Sequence, residues 1–271
     1  MLSSWKNSAL EPVRRILASL TGAVYPGLCP LCQTPLEKAD ARFCAPCEAS
    51  LIPLGPPRCP KCGEPFAAPD TGDHLCGNCS RRKPPFAHAR AFGLYQGALA
   101  EGIKRLKFSN HFTLVRRLAV LLEQAFIAEM SGAAYDLIIP VPLHRKRLRQ
   151  RGFNQAILIA LPLARHHHLR LDHHNLVRVR DTPPQYGLSR RQREQNVKGA
   201  FSLQAPKAIA GRRVLLVDDI LTTGATAREC ARTLRRAKAA GVDVLTLARA
   251  GMARAPTGPE ESDPGAGEGE A

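Results

Sequence analysis

Val214-Leu215-Leu216-Val217-Asp218-Asp219-Ile220-Leu221-Thr222-Thr223-Gly224-Ala225-Thr226 is the stretch whose reading decides the fold. Its opening apolar run, 214–217, reads as a strand buried on both faces. The run ends in two adjacent carboxylates, a hydroxyl-rich turn and a helix carrying Ala225, Ala227 and Ala231. Asp218 and Asp219 can accept hydrogen bonds from a pair of neighbouring sugar hydroxyls. The turn offers backbone N–H groups, the hydroxyls of Thr222, Thr223 and Thr226, and a helix N-terminus, all suited to a phosphate dianion. Gly224 lets the backbone approach a ligand with no side chain in the way. Strand, acidic end, turn and helix start together describe a site for a phosphorylated sugar.

Two better-known phosphate motifs are excluded. The spaced glycines of a dinucleotide fingerprint are missing, and no Gly-Lys-Ser/Thr follows as a P-loop requires. A phospho-acceptor aspartate at a strand end would leave the threonines unexplained, and a plain N-cap would leave the acidic pair incidental. The segment resembles the ribose-5-phosphate signature of type I phosphoribosyltransferases, proteins that bind phosphoribosyl pyrophosphate (PRPP).

Working outward, residues 89–95, 136–141, 176–179, 200–203 and 242–248 read as further strands, with helices over 98–108 and 112–130. Strands alternating with helices predict an α/β fold with a doubly wound, mainly parallel sheet over 89–250. The strand at 136–141 runs into 142–155, with five Lys/Arg between Arg145 and Arg151 and no acid. A loop at the carboxyl end of a central strand is where open α/β sheets place ligands. His144, Arg145, Arg147 and Arg151 there suit pyrophosphate or a polynucleotide backbone; for Lys146 and Arg149 a solvated basic helix is the plainer reading. The segment 180–196 is broken by Pro183, Pro184 and Gly187, keeps Arg190, Arg191 and Arg193, and predicts a long flap. The histidines at 166–168 and 173–174 read as a polar helix end and loop, and Cys230 as an ordinary buried thiol.

Eight of the nine cysteines fall in CxxC pairs: Cys29/Cys32, Cys44/Cys47, Cys59/Cys62 and Cys76/Cys79. Each pair can present two sulfurs to one ion, and two pairs complete a tetrahedral Zn²⁺ site. Four pairs in succession predict two closed structural sites, since a redox CxxC needs no such companions. Sequential pairing would make two zinc ribbons across 26–85, each able to fold locally; interleaved pairing into a cross-brace is also compatible with the spacing. Few large apolar residues lie between the pairs, so metal must supply much of the module's stability. This cysteine usage points to a reducing compartment, not to a secreted disulfide scaffold.

The 271 residues carry a formal charge of +16, which points to an anionic partner. Residues 251–271 hold one Arg and five acids and read as a disordered acidic tail, which leaves the remainder more basic still. Over 1–25, Val13, Ile16, Leu17, Leu20 and Val24 recur at helical spacing, whereas Lys6, Glu11, Arg14 and Arg15 interrupt any bilayer span. An amphipathic helix packing on the next domain is expected there, with peripheral membrane contact as the sharper alternative. No transmembrane segment is expected.

The whole layout resembles the ComF family (ComFC/GntX-like competence proteins). The resemblance covers about 24–250. It rests on the CxxC array, Leu106-Lys107-Phe108, Pro140-Val141-Pro142-Leu143-His144, Arg151-Gly152-Phe153-Asn154-Gln155, Arg180-Asp181-Thr182-Pro183-Pro184-Gln185, Asn196-Val197-Lys198-Gly199-Ala200-Phe201 and the signature itself. It implies a type I phosphoribosyltransferase fold with a zinc-ribbon extension. It also implies a part in DNA uptake for transformation and in use of DNA as a nutrient, at the cytoplasmic side of the inner membrane beside a DNA-uptake helicase or other uptake machinery. By the same resemblance Asp218 and Asp219 would hold the ribose hydroxyls directly or through Mg²⁺, and Thr222, Thr223, Gly224, Ala225 and Thr226 the 5-phosphate. The loop after Val141 would take the pyrophosphate, with Arg180 as a further contact and catalytic candidate. No nucleobase-binding hood is recognisable, so an acceptor is unassigned. Two readings stand: a PRPP-binding factor that handles single-stranded DNA, with Phe153 and Tyr186 available for stacking, and an active phosphoribosyltransferase with an unidentified acceptor.

Overall fold

The computed structural model describes residues 27–38, 41–68, 72–108, 111–183 and 189–250. The helix expected over 1–25, the acidic tail at 251–271 and the stacking role of Tyr186 lie outside the described residues.

Five parallel strands form one sheet in the order β1 (Ala89–Leu94), β7 (Gly241–Arg249), β6 (Arg213–Leu221), β2 (Leu137–Pro140) and β3 (Arg170–Leu171). The doubly wound parallel sheet is therefore present. Its central strand is the signature strand, and it runs further than the apolar run alone suggested. The ladder with β7 continues through Asp218↔Thr246 to Leu221↔Arg249, so both aspartates lie inside β6. β3 has no counterpart among the expected strands, because two residues carry no period to read. The strands expected at 176–179 and 200–203 do exist, as β4 (Leu176–Arg178) and β5 (Phe201–Leu203). They pair antiparallel in a separate two-stranded sheet rather than joining the parallel one.

Alternation along β6 divides the interior into two cores. Leu215 and Val217 pack with α3 (Gly97–Phe108), α4 (Thr113–Glu129) and α6 (Gln155–His166), whereas Val214 and Leu216 pack with α8 (Ala225–Arg236) and the β4–β5 hairpin. α4 buries Leu114, Leu118, Leu121, Leu122, Ala125 and Phe126, one face at i, i+4, i+7, i+8, i+11 and i+12. Each such leucine contributes about 1.5–3 kcal/mol by removal from water, as an upper bound.

The cysteine-rich module is built onto the β1 edge. Leu54 N–H donates to the Phe92 carbonyl and Leu94 N–H to that of Ile52, both at 2.9 Å, so the chain at 52–54 covers the edge as an antiparallel partner. Gly93 permits this approach: a Cβ there would stand 2.5 Å from the Ile52 oxygen. The first tetrad, with short helix α1 (Ala45–Ala49), feeds the core that holds α4; the second, with α2 (Gly77–Arg81), feeds the core that holds α8.

Two basic segments expected as loops are helical. The stretch after β2 forms α5 (Arg145–Arg151), N-capped by His144 and closed by Gly152. The second half of the expected flap forms α7 (Arg190–Val197), started by a capping box between Ser189 and Gln192. Neither helix has an apolar face to reveal it in sequence. α5 buries no residue and α7 only Val197. The histidines behave as a polar helix end: His166 Nδ1 and His167 Nε2 lie 3.1 and 3.0 Å from Glu123 Oε1.

Candidate functional site

The site gathers at the carboxyl end of the parallel strands. Asp219 is buried and forms an ion pair with Lys107, which the last turn of α3 delivers. Asp218 is half-buried, and its Oδ1 accepts the Asp219 N–H at 2.9 Å. Burial, followed by the adjacent Asp219 charge, holds the Asp218 carboxyl well above the usual carboxylate range. A cation brought to Asp218 would favour its charged form.

Guanidinium groups surround this pair. Arg151 is half-buried and feels the Asp219 charge; burial first, and repulsion from Arg147, lower it from its ordinary value. Arg147 Nη2 donates to the Thr182 carbonyl at 2.9 Å. Arg178 is buried in β4, donates to Thr182 Oγ1, lies 5.6 Å from the Phe201 ring centre, and interacts with Arg147 and Asp218. Burial is the main reason its guanidinium is also lowered.

The Arg151-Gly152-Phe153-Asn154-Gln155 run is the device that aims Arg151. Asn154 caps α6 through the Ala156 N–H (2.9 Å) and donates to the Val141 carbonyl (3.0 Å), tying the start of α6 to the end of β2. Gln155 Oε1 accepts from Arg151 Nη1 at 2.6 Å. Phe108 lies 5.4 Å beneath the same guanidinium, and Phe153 meets Phe112 edge-on at 5.0 Å.

The Thr-Gly turn follows β6 directly. Thr222 and Thr223 are half-buried, Thr223 Oγ1 accepts the Ala225 N–H at 3.4 Å, and Gly224 takes a left-handed conformation with φ 75° as α8 begins. Gly224, the N-cap of α8, brings no side chain over the helix start, where the macrodipole favours an anion. An open cleft of about 580 Å³ joins Thr222 and Thr223 to Arg190, Arg193 and the second ribbon.

Not every expected residue converges here. Arg180 is exposed and donates to the Lys198 carbonyl; Arg178, two residues earlier, is the guanidinium set against Asp218. His144 Nδ1 lies 3.4 Å from Asp181, and Arg145 is exposed on the outer face of α5. Lys107 and Arg178 were missed as site residues. Arg178 left a trace, since it shares the buried side of a strand with Leu176. Lys107 stands in the Leu106-Lys107-Phe108 motif of the resemblance, but its pairing with Asp219 arises only when the fold brings α3 to β6.

The cysteines assemble sequentially. The sulfurs of Cys29, Cys32, Cys44 and Cys47, and those of Cys59, Cys62, Cys76 and Cys79, each lie within 4.8 Å of one another. Two cross-pair separations, 3.2 Å for Cys32–Cys44 and 3.6 Å for Cys62–Cys76, approach the ~3.8 Å edge of a tetrahedral Zn–S₄ site with ~2.3 Å bonds. Both donor sets therefore fit Zn²⁺. The second tetrad also receives charge from the α/β lobe: Arg228 Nη2 donates to Cys79 Sγ at 3.8 Å and Arg249 Nη2 to Cys62 Sγ at 3.7 Å. Cys230 is wholly buried, and burial pushes its thiol well above the usual range.

The double zinc ribbon domain model matches residues 20–80, and the phosphoribosyl transferase domain model matches 159–264. The DNA utilization protein YhgH of Escherichia coli O6:H1 is 38% identical over 228 residues, covering 83% of this chain and 97% of that protein. Competence protein F of Haemophilus influenzae is 36% identical (82% and 96% covered), and Competence protein ComFC of Bacillus subtilis 26% identical (84% and 97% covered). Among the described residues no helix is long and apolar enough to cross a membrane.

Proposed function

The chain belongs to the ComF family, and from that membership we propose that it serves DNA uptake and utilisation by binding PRPP with Mg²⁺ and by holding single-stranded DNA. The observation that carries the PRPP half is the convergence at the end of β6. A carboxylate pair there, Asp219 buried and Asp218 half-buried, is met by Lys107, Arg151 and Arg178 beside a turn whose Gly224 precedes α8. In this reading Asp218 and Asp219 take the ribose hydroxyls, Thr222 to Thr226 with the first N–H groups of α8 take the 5-phosphate, and Arg147, Arg151 and Arg178 face the pyrophosphate.

The carboxylate oxygens suit a hard divalent cation, and Asp218, whose charged form is disfavoured in the free pocket, gains a counter-charge from it. Bound Mg²⁺ would neutralise pyrophosphate charge. The named side chains orient the sugar and keep water from its buried edge. Arg180, His144, Arg145 and Arg193 are assigned to the nucleic-acid side of the function. The division into a ribbon module over 26–85 and an α/β lobe over 89–250, and a place on the cytoplasmic side of the inner membrane beside the uptake machinery, belong to the same proposal.

Calorimetric titration of the zinc-loaded chain with PRPP, with and without added MgCl₂, tests it. The expected result is Mg²⁺-dependent binding at one site, tighter than for ribose 5-phosphate or pyrophosphate alone. No binding of PRPP would overturn the reading. Release of pyrophosphate from the bound ligand in the presence of free bases or single-stranded DNA would make the protein an enzyme instead of a binding factor.

A further inference from the structure

A second cleft, of about 550 Å³, lies on the other flank of α7 between that helix, α8 and the chain just after the second tetrad. Of its lining, Ala225 is the residue it shares with the PRPP reading. Arg228, Arg232 and Arg236 stand in it at i, i+4 and i+8 on α8, a single stripe stepped about 6 Å per residue pair by the helix rise. Arg82 comes from the ribbon side, and Arg191 and Lys198 from α7 and its exit.

Its acids are already engaged. Glu194 lies 3.6 Å from Arg82 and 3.7 Å from Arg190. Glu229 pairs with Arg232 and accepts the Gly199 N–H at 2.9 Å. Six cations thus face two carboxylates. Burial, then repulsion from Arg82 and Arg236, lowers the Arg232 guanidinium from its ordinary value. Arg228 is 8% exposed and its Nε has no hydrogen-bond partner. That nitrogen lies on the Gly224 side and Nη2 donates to Cys79 Sγ, so Arg228 forms the inner wall of the cleft, while Arg232 is half-buried and Arg236 exposed.

We propose that this cleft carries the phosphodiester backbone of single-stranded nucleic acid, with Arg232 and Arg236 of α8 and Arg191 and Lys198 across from them meeting its phosphates. The proposal rests on the reading of the chain as a DNA-handling protein, and it gives the strand a track that borders the phosphoribosyl pocket at Ala225. The spread of cations over both walls is what distinguishes a strand from a lone phosphate: Arg232 and Arg236 stand one helical turn apart on α8, and the exposed Arg191 and Lys198 belong to α7 and its exit.

The test is fluorescence anisotropy of a labelled oligothymidylate with the zinc-loaded chain, from about 50 to 200 mM salt. The variant R191Q/K198Q/R236Q changes only exposed side chains, and its melting curve and zinc content verify the fold. It should bind the strand at least ~10-fold more weakly, with the log–log salt slope reduced by about 2, as loss of three phosphate contacts requires. PRPP affinity should be unchanged. Wild-type binding with an unaltered slope in this variant would overturn the cleft while leaving the DNA reading intact. No strand binding by the wild type would overturn both. Loss of the slope in R145Q/R149Q instead would move the track to α5. Displacement of the strand by pyrophosphate as effectively as by unlabelled oligothymidylate would make the cleft a small-anion site and refute the strand.

Discussion

Replacing Lys107 by Met removes the cation that α3 presents to Asp219 while keeping the length of the side chain. Both partners are mostly buried, with 17% of the Lys107 and 5% of the Asp219 side chain exposed. Removing one member of a buried pair typically costs about 3–5 kcal/mol, because the remaining charge stays desolvated and unpaired. Here the lower end applies, since Arg151 also feels Asp219 and Lys107 retains some water. A loss of about 3 kcal/mol in a domain of this size lowers the melting temperature by roughly 6–12 °C. The assay is thermal unfolding of wild type, Lys107→Met, Asp219→Asn and the double variant. Asp219→Asn should restore most of what Lys107→Met loses, giving a coupling of about 2 kcal/mol or more. Added Mg²⁺ should raise the melting temperature of Lys107→Met more than that of wild type, because it supplies the missing counter-charge. A single variant that melts with wild type, or losses that simply add in the double variant, would refute the pairing.

Gly224→Ala meets no obstacle nearer than 3.8 Å, so its effect is the left-handed backbone alone. About 1–2 kcal/mol of folding stability is expected to be lost, read as a lower melting temperature with little change in zinc content. Asp218 is held above the usual carboxylate range by burial and by Asp219, so the free pocket keeps its proton where an ordinary carboxylate has lost it. PRPP·Mg²⁺ affinity should therefore rise with pH through the interval above the ordinary carboxylate value, and Asp218→Asn should flatten that rise. The stability sign is the opposite: the folded state holds the proton more tightly, so the contribution of Asp218 is lost as pH rises, and Asp218→Asn should gain in melting temperature over wild type. Cys62→Ser and Cys32→Ser should each lower bound zinc from two ions per chain to one. Only Cys62→Ser should also weaken PRPP binding, because Arg249 meets that sulfur while Arg228, on the companion Cys79, packs beside Gly224. Equal effects of the two substitutions would remove the proposed coupling.

Much of this was legible in the chain where local pattern and tertiary need coincide. β6 announced itself because a strand buried on both faces must be continuously apolar, and the Thr-Gly turn because phosphate sites need bare backbone. The aspartates were read as following the strand; the β7 ladder, which carries no mark in 218–221, extends the strand past them. α5 and α7 do not announce themselves in sequence, because helices of seven and eight residues with almost nothing to bury show no apolar period. Their caps, His144 and Ser189, were the available signals. Spacing allowed either cysteine pairing, and only the fold gathers the first pair with the second and the third with the fourth. Lys107 opposite Asp219, and Arg228 and Arg249 against the second tetrad, are contacts between distant segments that no local pattern encodes.

The pocket at the end of β6 is most directly tested by titrating PRPP·Mg²⁺ into wild type and into Asp218→Asn/Asp219→Asn, with zinc content and melting curves matched. The double variant removes both carboxylates at nearly constant shape, so binding should fall at least ~100-fold, about 2.7 kcal/mol, while the strand affinity of the α7–α8 cleft holds. PRPP affinity equal to wild type in the folded double variant would contradict the assignment of the carboxylate pair and, with it, of the pocket.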